Sequence, residues 1–369
     1  MNKVLVIGGA GFIGHNTVKK LLAEGYEVTI MDNLQQRVHP YGDISHLDKR
    51  ADFIKGDITK KEDLEKALKG IDIVFNFAAY QDHMTDFSTF YEVNSVGTAL
   101  LYETIVKNNY PVKKIIFSST QGVYGAGKFK CNHHGYFYGE RTRELLEQGK
   151  WEVTCPICNE KAEFALLLEE DAAPNTAYGI SKYAAEITAL RFGHKYNIPT
   201  VCLRYSLVQG SGQSIHNAYS GIGRIFNQRL LRGKPIIAYE DGNQIRDFVH
   251  VEDVVDANLL VMKSELADYN TYNVGGERPV TVNEYADKLN ALFGSELRTE
   301  TPGIYRWGDP RHTCSSSEKL EAIGWKRKHT IDDIVRDAHE WFSQMAFNPT
   351  FEEAEQLMLQ RGVLRKSAQ

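Results

Sequence analysis

An excess of positive charge is missing from this sequence: 43 Lys and Arg stand against 48 Asp and Glu, a formal net charge of -5 over 369 residues. Without a basic field to neutralise phosphates, nucleic acid is excluded as a partner. Long apolar runs are missing too, none approaching the roughly 20 residues that cross a bilayer. Val4 to Ile7 runs straight into glycines, without the apolar core of a signal peptide. The chain is therefore expected in the cytoplasm, away from membranes. Proline is scarce at 10 residues, and low-complexity stretches, internal repeats and long linkers are absent, which excludes collagen and disorder. Cysteine is sparse and odd in number, five in all, so no disulfide framework is expected. Three of them, Cys131, Cys155 and Cys158, crowd into one short region and read as metal ligands in a reducing compartment.

What is present, 42% hydrophobic residues and 30 glycines, suits a folded chain with a sizeable core. Short β-branched runs alternate with helical periods: Val4 to Ile7, Val28 to Met31, Asp52 to Ile54, Ile73 to Phe77, Lys114 to Phe117 and Thr200 to Leu203. That rhythm predicts the α/β class, a doubly wound parallel Rossmann sheet, over residues 1–203. Residues 126–171 break it with Cys, His, Gly and a charged helical stretch, Glu140 to Lys150, and read as an insertion. Residues 204–347, with loops such as Gln209 to Ser214, suit a smaller C-terminal substrate-binding lobe interleaved with the Rossmann domain. Residues 348–369 read as a helical tail without an assigned role.

Gly8, Gly11 and Gly14 follow the first strand and open a helix with Phe12 and Ile13. In a dinucleotide site such glycines give a tight turn, close approach of a pyrophosphate to the helix N-terminus, and close helix-to-sheet packing. Asp32 ends the second strand, where a carboxylate accepts from the adenosine ribose hydroxyls and repels a 2′-phosphate, so NAD is favoured over NADP. Asn33 follows it where an Arg would suit the phosphorylated cofactor. Asp57 and Ile58 are placed to flank the adenine, and Asp57 reads equally as a helix N-cap.

Tyr and Lys four residues apart share a helix face. Of three such pairs, Tyr110 with Lys114 contains Pro111, and Tyr124 with Lys128 contains Gly125 and Gly127. Tyr178 and Lys182 alone open a long helical pattern. A cation about 4 Å from a phenol, at an effective dielectric near 20, contributes about 4 kcal/mol, enough to bring a phenol near neutral pKa. Ser118, Ser119 and Thr120 leave the fifth strand at its C-terminal end, where ligands bind in open parallel sheets. A hydroxyl there can share a proton passing between a substrate alcohol and Tyr178.

Gly8 to Gly14, Asn76-Phe77-Ala78-Ala79, Asn94, Ser118 to Thr120, Tyr178 to Lys182, Leu203-Arg204-Tyr205 and Arg246 to Val251 occur in order. Together they resemble the extended short-chain dehydrogenase/reductase family, most closely its nucleotide-sugar epimerase/dehydratase branch, up to about Phe342. The resemblance implies that Tyr178 is the acid/base, that Lys182 binds the nicotinamide ribose and that Thr120 assists. It also implies that Ala78, Ala79, Asn94 and Ser118 line the NAD site, and that Arg246 and Arg306 clamp a nucleotide diphosphate, with Arg311 a third candidate. Gln121 and Gly122 stand where 4,6-dehydratases carry Asp-Glu, which disfavours dehydration. The loop from Ala79 to Met84 is unusual, and Gln81 and His83 are candidate sugar contacts. The expected activity is NAD-dependent epimerisation of a nucleotide-diphosphate sugar, at C4, through a transient keto-sugar. A 4,6-dehydratase, a sugar dehydrogenase and a non-catalytic NAD sensor are the alternatives. The same resemblance implies a homodimer paired through helices near Tyr91 to Lys107 and Tyr178 to Lys195.

Cys131 and His134 with Cys155 and Cys158 have the spacing of a closed tetrahedral zinc site, although His133 competes with His134 for one position. The insertion is otherwise short of apolar residues, so a metal would help fold it. It resembles the insertion of some dTDP-L-rhamnose 4-epimerase-like members. Joining the Thr120 strand to the Tyr178 helix, it is placed to cover the active site.

Overall fold

In the computed structural model, which describes residues 2–82, 84–216, 221–345 and 350–368, the expected sheet forms with one strand more than the sequence suggested. Seven parallel strands lie in the order Asn270–Val274, Thr200–Tyr205, Lys114–Thr120, Ile73–Asn76, Lys3–Ile7, Glu27–Asp32, Asp52–Lys55. Strand side chains alternate between faces, and both faces are covered. Val4, Val6, Phe75, Ile116, Val201 and Leu203 enter one core. Leu5, Ile7, Val74, Ile115, Phe117 and Cys202 enter the other. This double burial explains the nearly continuous apolar runs that made six strands visible.

Asn270–Val274 escaped notice because its inward positions include polar side chains. Buried Asn273 accepts from the Tyr124 hydroxyl and donates to the carbonyls of Leu167, at 3.3 Å, and Ser316, at 3.0 Å. Strand order reverses at Lys3–Ile7, which lies between Glu27–Asp32 and Ile73–Asn76, and the crevice at such a switch point is where doubly wound sheets bind ligands.

A third core, with Phe226, Phe248, Tyr285, Leu289 and Ile334, builds the C-terminal lobe. The insertion forms a three-stranded antiparallel sheet of Gly135–Tyr138, Lys128–Cys131 and Glu163–Ala165. It has a small apolar core after all, Phe129, Val153 and Ala162, with Phe137 and Phe164 against it. The tail is integrated rather than free. Its helix Thr350–Gln360 ends at Gly362 (φ +67°), and Leu364–Lys366 then pairs antiparallel with Ile304–Arg306.

Candidate active site

The glycine turn meets its steric demands at two positions. Gly8 has φ +76°, and a Cβ there would lie 2.7 Å from Ala78 N; a Cβ on Gly14 would lie 2.3 Å from Gly8 O. Gly11 is the N-cap of Phe12–Ala23 and offers no capping side chain, so the first backbone N–H groups stay available for an anion. Beside it runs a groove of about 140 Å³ lined by Gly8, Gly11, Asp32, Asn33, Ile58, Ala78 and Ala79. Asp32 accepts Ala10 N at 3.0 Å on one oxygen and Leu34 N at 2.9 Å on the other, leaving lone pairs on both for ribose hydroxyls.

Four other expected cofactor residues stand behind the groove. Asp57 holds Asn33 at 3.0 Å and caps Thr59. Asn94 is buried, binds both the N–H and C=O of Tyr80, and donates to Ser181. Phe12 and Ile13 are partly buried in the first turn of the helix, and Ile13 packs on the core.

Thr176 accepts from Gly179 N at 3.1 Å and starts the helix Ala177–Lys195. A Cβ on Gly179 would lie 2.4 Å from Gly122 O, so this helix presses onto the turn Gln121–Tyr124 and brings Tyr178, Thr120 and Gln121 to one cavity. Thr120 also receives Gly122 N at 3.1 Å. Lys182 is 1% exposed, reaches Ser118 Oγ at 3.5 Å and lies 4.4 Å from the Phe117 ring centre. Burial pulls its ammonium down to about 7, with Cys202 and Glu186 opposing. The field it offers Tyr178 is therefore itself proton-dependent, a refinement of the fixed cation inferred from spacing.

The cavity, about 730 Å³, lies between the sheet's C-terminal edge and the lobe. Gln81, Thr120, Gln121 and Tyr178 line it together with Arg229, Arg246 and Arg306. Arg246 donates to three neutral carbonyls, Ile245 at 2.8 Å, Arg311 at 3.0 Å and Pro310 at 3.2 Å. Burial lowers its pKa, opposed by Asp309 and Glu240 at longer range. Arg306 sits 3.5 Å from Asp309 and over the Tyr239 ring.

Arg311 departs from expectation. Its side chain is fully buried away from the cavity, paired with Glu152 (2.6 Å), Glu240 (2.8 Å) and Asp241 (2.7 Å). Those partners saturate its donors, so it cannot clamp a ligand. His83 lies outside the described residues.

In the insertion, the sulfurs of Cys131, Cys155 and Cys158 and Nδ1 of His134 converge. Cys131 Sγ is 3.6 Å from Cys158 Sγ and 3.6 Å from His134 Nδ1, and Cys155 Sγ is 3.5 Å from the same nitrogen. His133 lies 3.2 Å from Glu160, and His134 is the imidazole that joins the three sulfurs. Backbone N–H groups, that of Cys158 first, bring the Cys155 thiol down to about 6.

Sequence reasoning missed several participants. Glu186, one turn beyond Lys182, forms a buried ion pair with Arg204 at 2.6 Å and accepts Ser119 Oγ at 2.5 Å. The motif Leu203-Arg204-Tyr205 was the available signal. Tail residues Glu355, Met358, Arg361 and Arg365 line the cavity, and no local pattern announced them.

The model of the NAD dependent epimerase/dehydratase family matches residues 4–142 and 154–275, the break falling inside the insertion. A dTDP-L-rhamnose 4-epimerase of Burkholderia thailandensis is 31% identical, covering 93% of this chain and 95% of its own. The UDP-glucose 4-epimerase of Thermotoga maritima, solved with UDP-glucose, superposes with TM-score 0.74 at 30% identity, covering 93% of this chain and 99% of its own. That of Thermus thermophilus, solved with NAD, gives TM-score 0.74 at 29% identity over 93% and 100% of the two chains. The match of the family model to residues 4–142 and 154–275, together with a relative 31% identical over 93% of the chain, places this protein in the NAD dependent epimerase/dehydratase family.

Proposed function

We propose that the protein is an NAD-dependent epimerase acting at C4 of a nucleoside diphosphate sugar. The observation that carries this is one cavity holding both Tyr178 and Arg246, a guanidinium whose hydrogen bonds among the described residues go to neutral carbonyls, with Asp309 and Glu240 acting on it only at longer range. A diphosphate supplies that anion. The relatives' substrates, a dTDP-sugar and a UDP-sugar, share this group.

Gly8, Gly11, Phe12 and Ile13 would hold the cofactor pyrophosphate at the helix N-terminus, and Asp32 its adenosine ribose. Asn33, Ile58, Ala78 and Ala79 would wall the groove, supported from behind by Asp57 and Asn94. The chemistry NAD supplies when bound is reversible hydride acceptance, without net oxidation over a turnover. Tyr178, as phenolate, accepts the proton of the C4 hydroxyl, with Thr120 sharing the hydrogen bond. With that proton lost, and the hydride going to the bound cofactor, C4 would become a ketone. Lys182, when protonated, stabilises the phenolate, and Ser118 holds the ammonium. The keto-sugar turns while Arg246 and Arg306 retain the diphosphate. Tyr178 would then return the proton to the C4 oxygen once the other face of the ketone has been reduced.

Gln121 is an amide with its buried Oε1 unpartnered, suited to accept from a sugar hydroxyl and unable to act as the acid a 4,6-dehydratase needs. Proton NMR of UDP-, dTDP-, GDP- and CDP-hexoses with catalytic NAD tests the proposal. A redox-neutral epimer is expected. A 4-keto-6-deoxy product or accumulating NADH overturns it in favour of a dehydratase or a dehydrogenase.

Two further assignments belong here. Cys131, His134, Cys155 and Cys158 would hold a structural zinc ion, since a tetrahedral site with Zn–S near 2.3 Å has ligand edges of roughly 3.4 to 3.8 Å, matching the observed separations. A homodimer would pair through the helical stretches Tyr91 to Lys107 and Tyr178 to Lys195, on which Val96 (56% exposed), Ile187 (44%) and Phe192 (37%) lie open.

A further inference from the structure

The insertion reaches the anion-binding wall through two side chains. Arg141, 4% exposed, donates Nη1 to Glu240 at 2.8 Å and Nη2 to the carbonyl of Asp309 at 2.7 Å. Glu152 receives Nε and Nη2 of Arg311 at 3.0 and 2.6 Å. The segment Asp309 to Arg311 is thus pinned at both ends by the insertion. The carbonyls of Pro310 and Arg311, within that segment, are two of the three on which the Arg246 guanidinium hangs. Glu152 is in turn fixed by its neighbours: Cys155 N bonds Glu160 O at 2.8 Å and Ala162 N bonds Val153 O at 3.0 Å, closing the hairpin that carries the cysteines.

The charges point the same way. Glu240 lines the cavity that Arg246 lines, and would compete with a diphosphate for that cation if left alone. Arg141 and Arg311 occupy both its oxygens. Hydrogen bonds from His312 and Arg311 likewise hold the Glu152 carboxyl well below the usual carboxylate range, so it stays an anion and an acceptor.

We infer that Arg141 and Glu152 are positioning residues for Arg246: they fix the backbone that aims its guanidinium and keep Glu240 from neutralising it, so the insertion sets the cavity's affinity for a nucleoside diphosphate. The inference rests on the reading of the cavity given above. Neither residue touches the reacting atoms, and the effect belongs in binding rather than in chemistry.

The test is calorimetric titration of UDP and dTDP into the full chain carrying Glu152→Gln or Arg141→Gln, with NAD affinity and steady-state kinetics on the same samples. Kd and KM are expected to rise about tenfold, kcat to stay within about twofold, and NAD affinity to be unchanged. Equal Kd values for folded variants and unaltered protein overturn the inference, as does a fall in kcat at constant KM. If the Gln variants yield no folded protein, Arg141→Lys decides: it keeps the charge beside Glu240 but loses the fork that also reaches Asp309 O, and an unchanged Kd overturns the inference. If the unaltered protein binds neither nucleotide, the proposed function falls with it; binding by all forms alike removes this inference alone.

Discussion

The two proposed ligand sites are built in opposite ways. The dinucleotide groove is lined by residues between Ile7 and Val93, near neighbours in sequence, and its key features are backbone features: a glycine turn, a helix N-terminus and one carboxylate at a strand end. The substrate cavity is lined by residues between Gln81 and Arg365, and its key features are side chains held by distant side chains. Arg141 and Asp309 are 168 residues apart, Glu152 and Arg311 159. A site made of backbone tolerates sequence change around it, whereas a site made of long-range ion pairs is specific to its own chain.

The largest expected effect lies at Tyr178, in the cavity wall. Tyr178→Phe should lower kcat by about a thousandfold or more while Kd for NAD and for UDP or dTDP stay near their original values. A loss of binding instead would show that the phenol holds one of the sites together. Next, Asp32→Asn should raise the NAD Kd by about tenfold, with nucleotide binding untouched. If substrate affinity falls equally, the sites are less separable than their construction suggests.

Removing metal from the insertion with a chelator should lower Tm by about 5 °C or more and loosen the cavity while leaving the groove intact. Absence of zinc in the purified protein would sink that prediction at once.

The smallest effect concerns pH. The folded pKa of Lys182, about 7, lies below its ordinary value of 10.5. Between those values the unfolded chain carries a proton that the folded chain lacks, so this residue makes stability rise with pH across the window and adds no slope below it. Urea titrations of cofactor-free protein from pH 7 to 10 should show that slope, and Lys182→Met should flatten it.

The same contrast explains what could be read in advance. The placement of Gly8, Gly11, Gly14, Asp32, Tyr178 and Lys182 was legible because local geometry alone sets it: a turn, a strand end or one helix face. The strand Asn270–Val274 was not, because Asn273 finds its partners on three other segments. Arg311 departed from expectation because an arginine near a diphosphate motif looks alike whether it faces ligand or acidic partners 70 to 159 residues away. The tail was opaque for a related reason: a three-residue strand, Leu364–Lys366, has no pattern until its partner Ile304–Arg306 is known.

The groove's confinement to the first quarter of the chain has a chronological consequence. Contacts close in sequence form fast, and those that close long loops form late. During refolding, and as the chain leaves the ribosome, the groove for the adenosine half of the cofactor can assemble before Ser118, Lys182 and the residues that complete the cavity have found one another. Cofactor can then be captured by an unfinished protein and become part of what the rest folds around, which suits a cofactor that is never released as a product. Stopped-flow refolding should show NAD binding recovering ahead of nucleotide binding, and the lag between the two measures how long the distant walls take to meet.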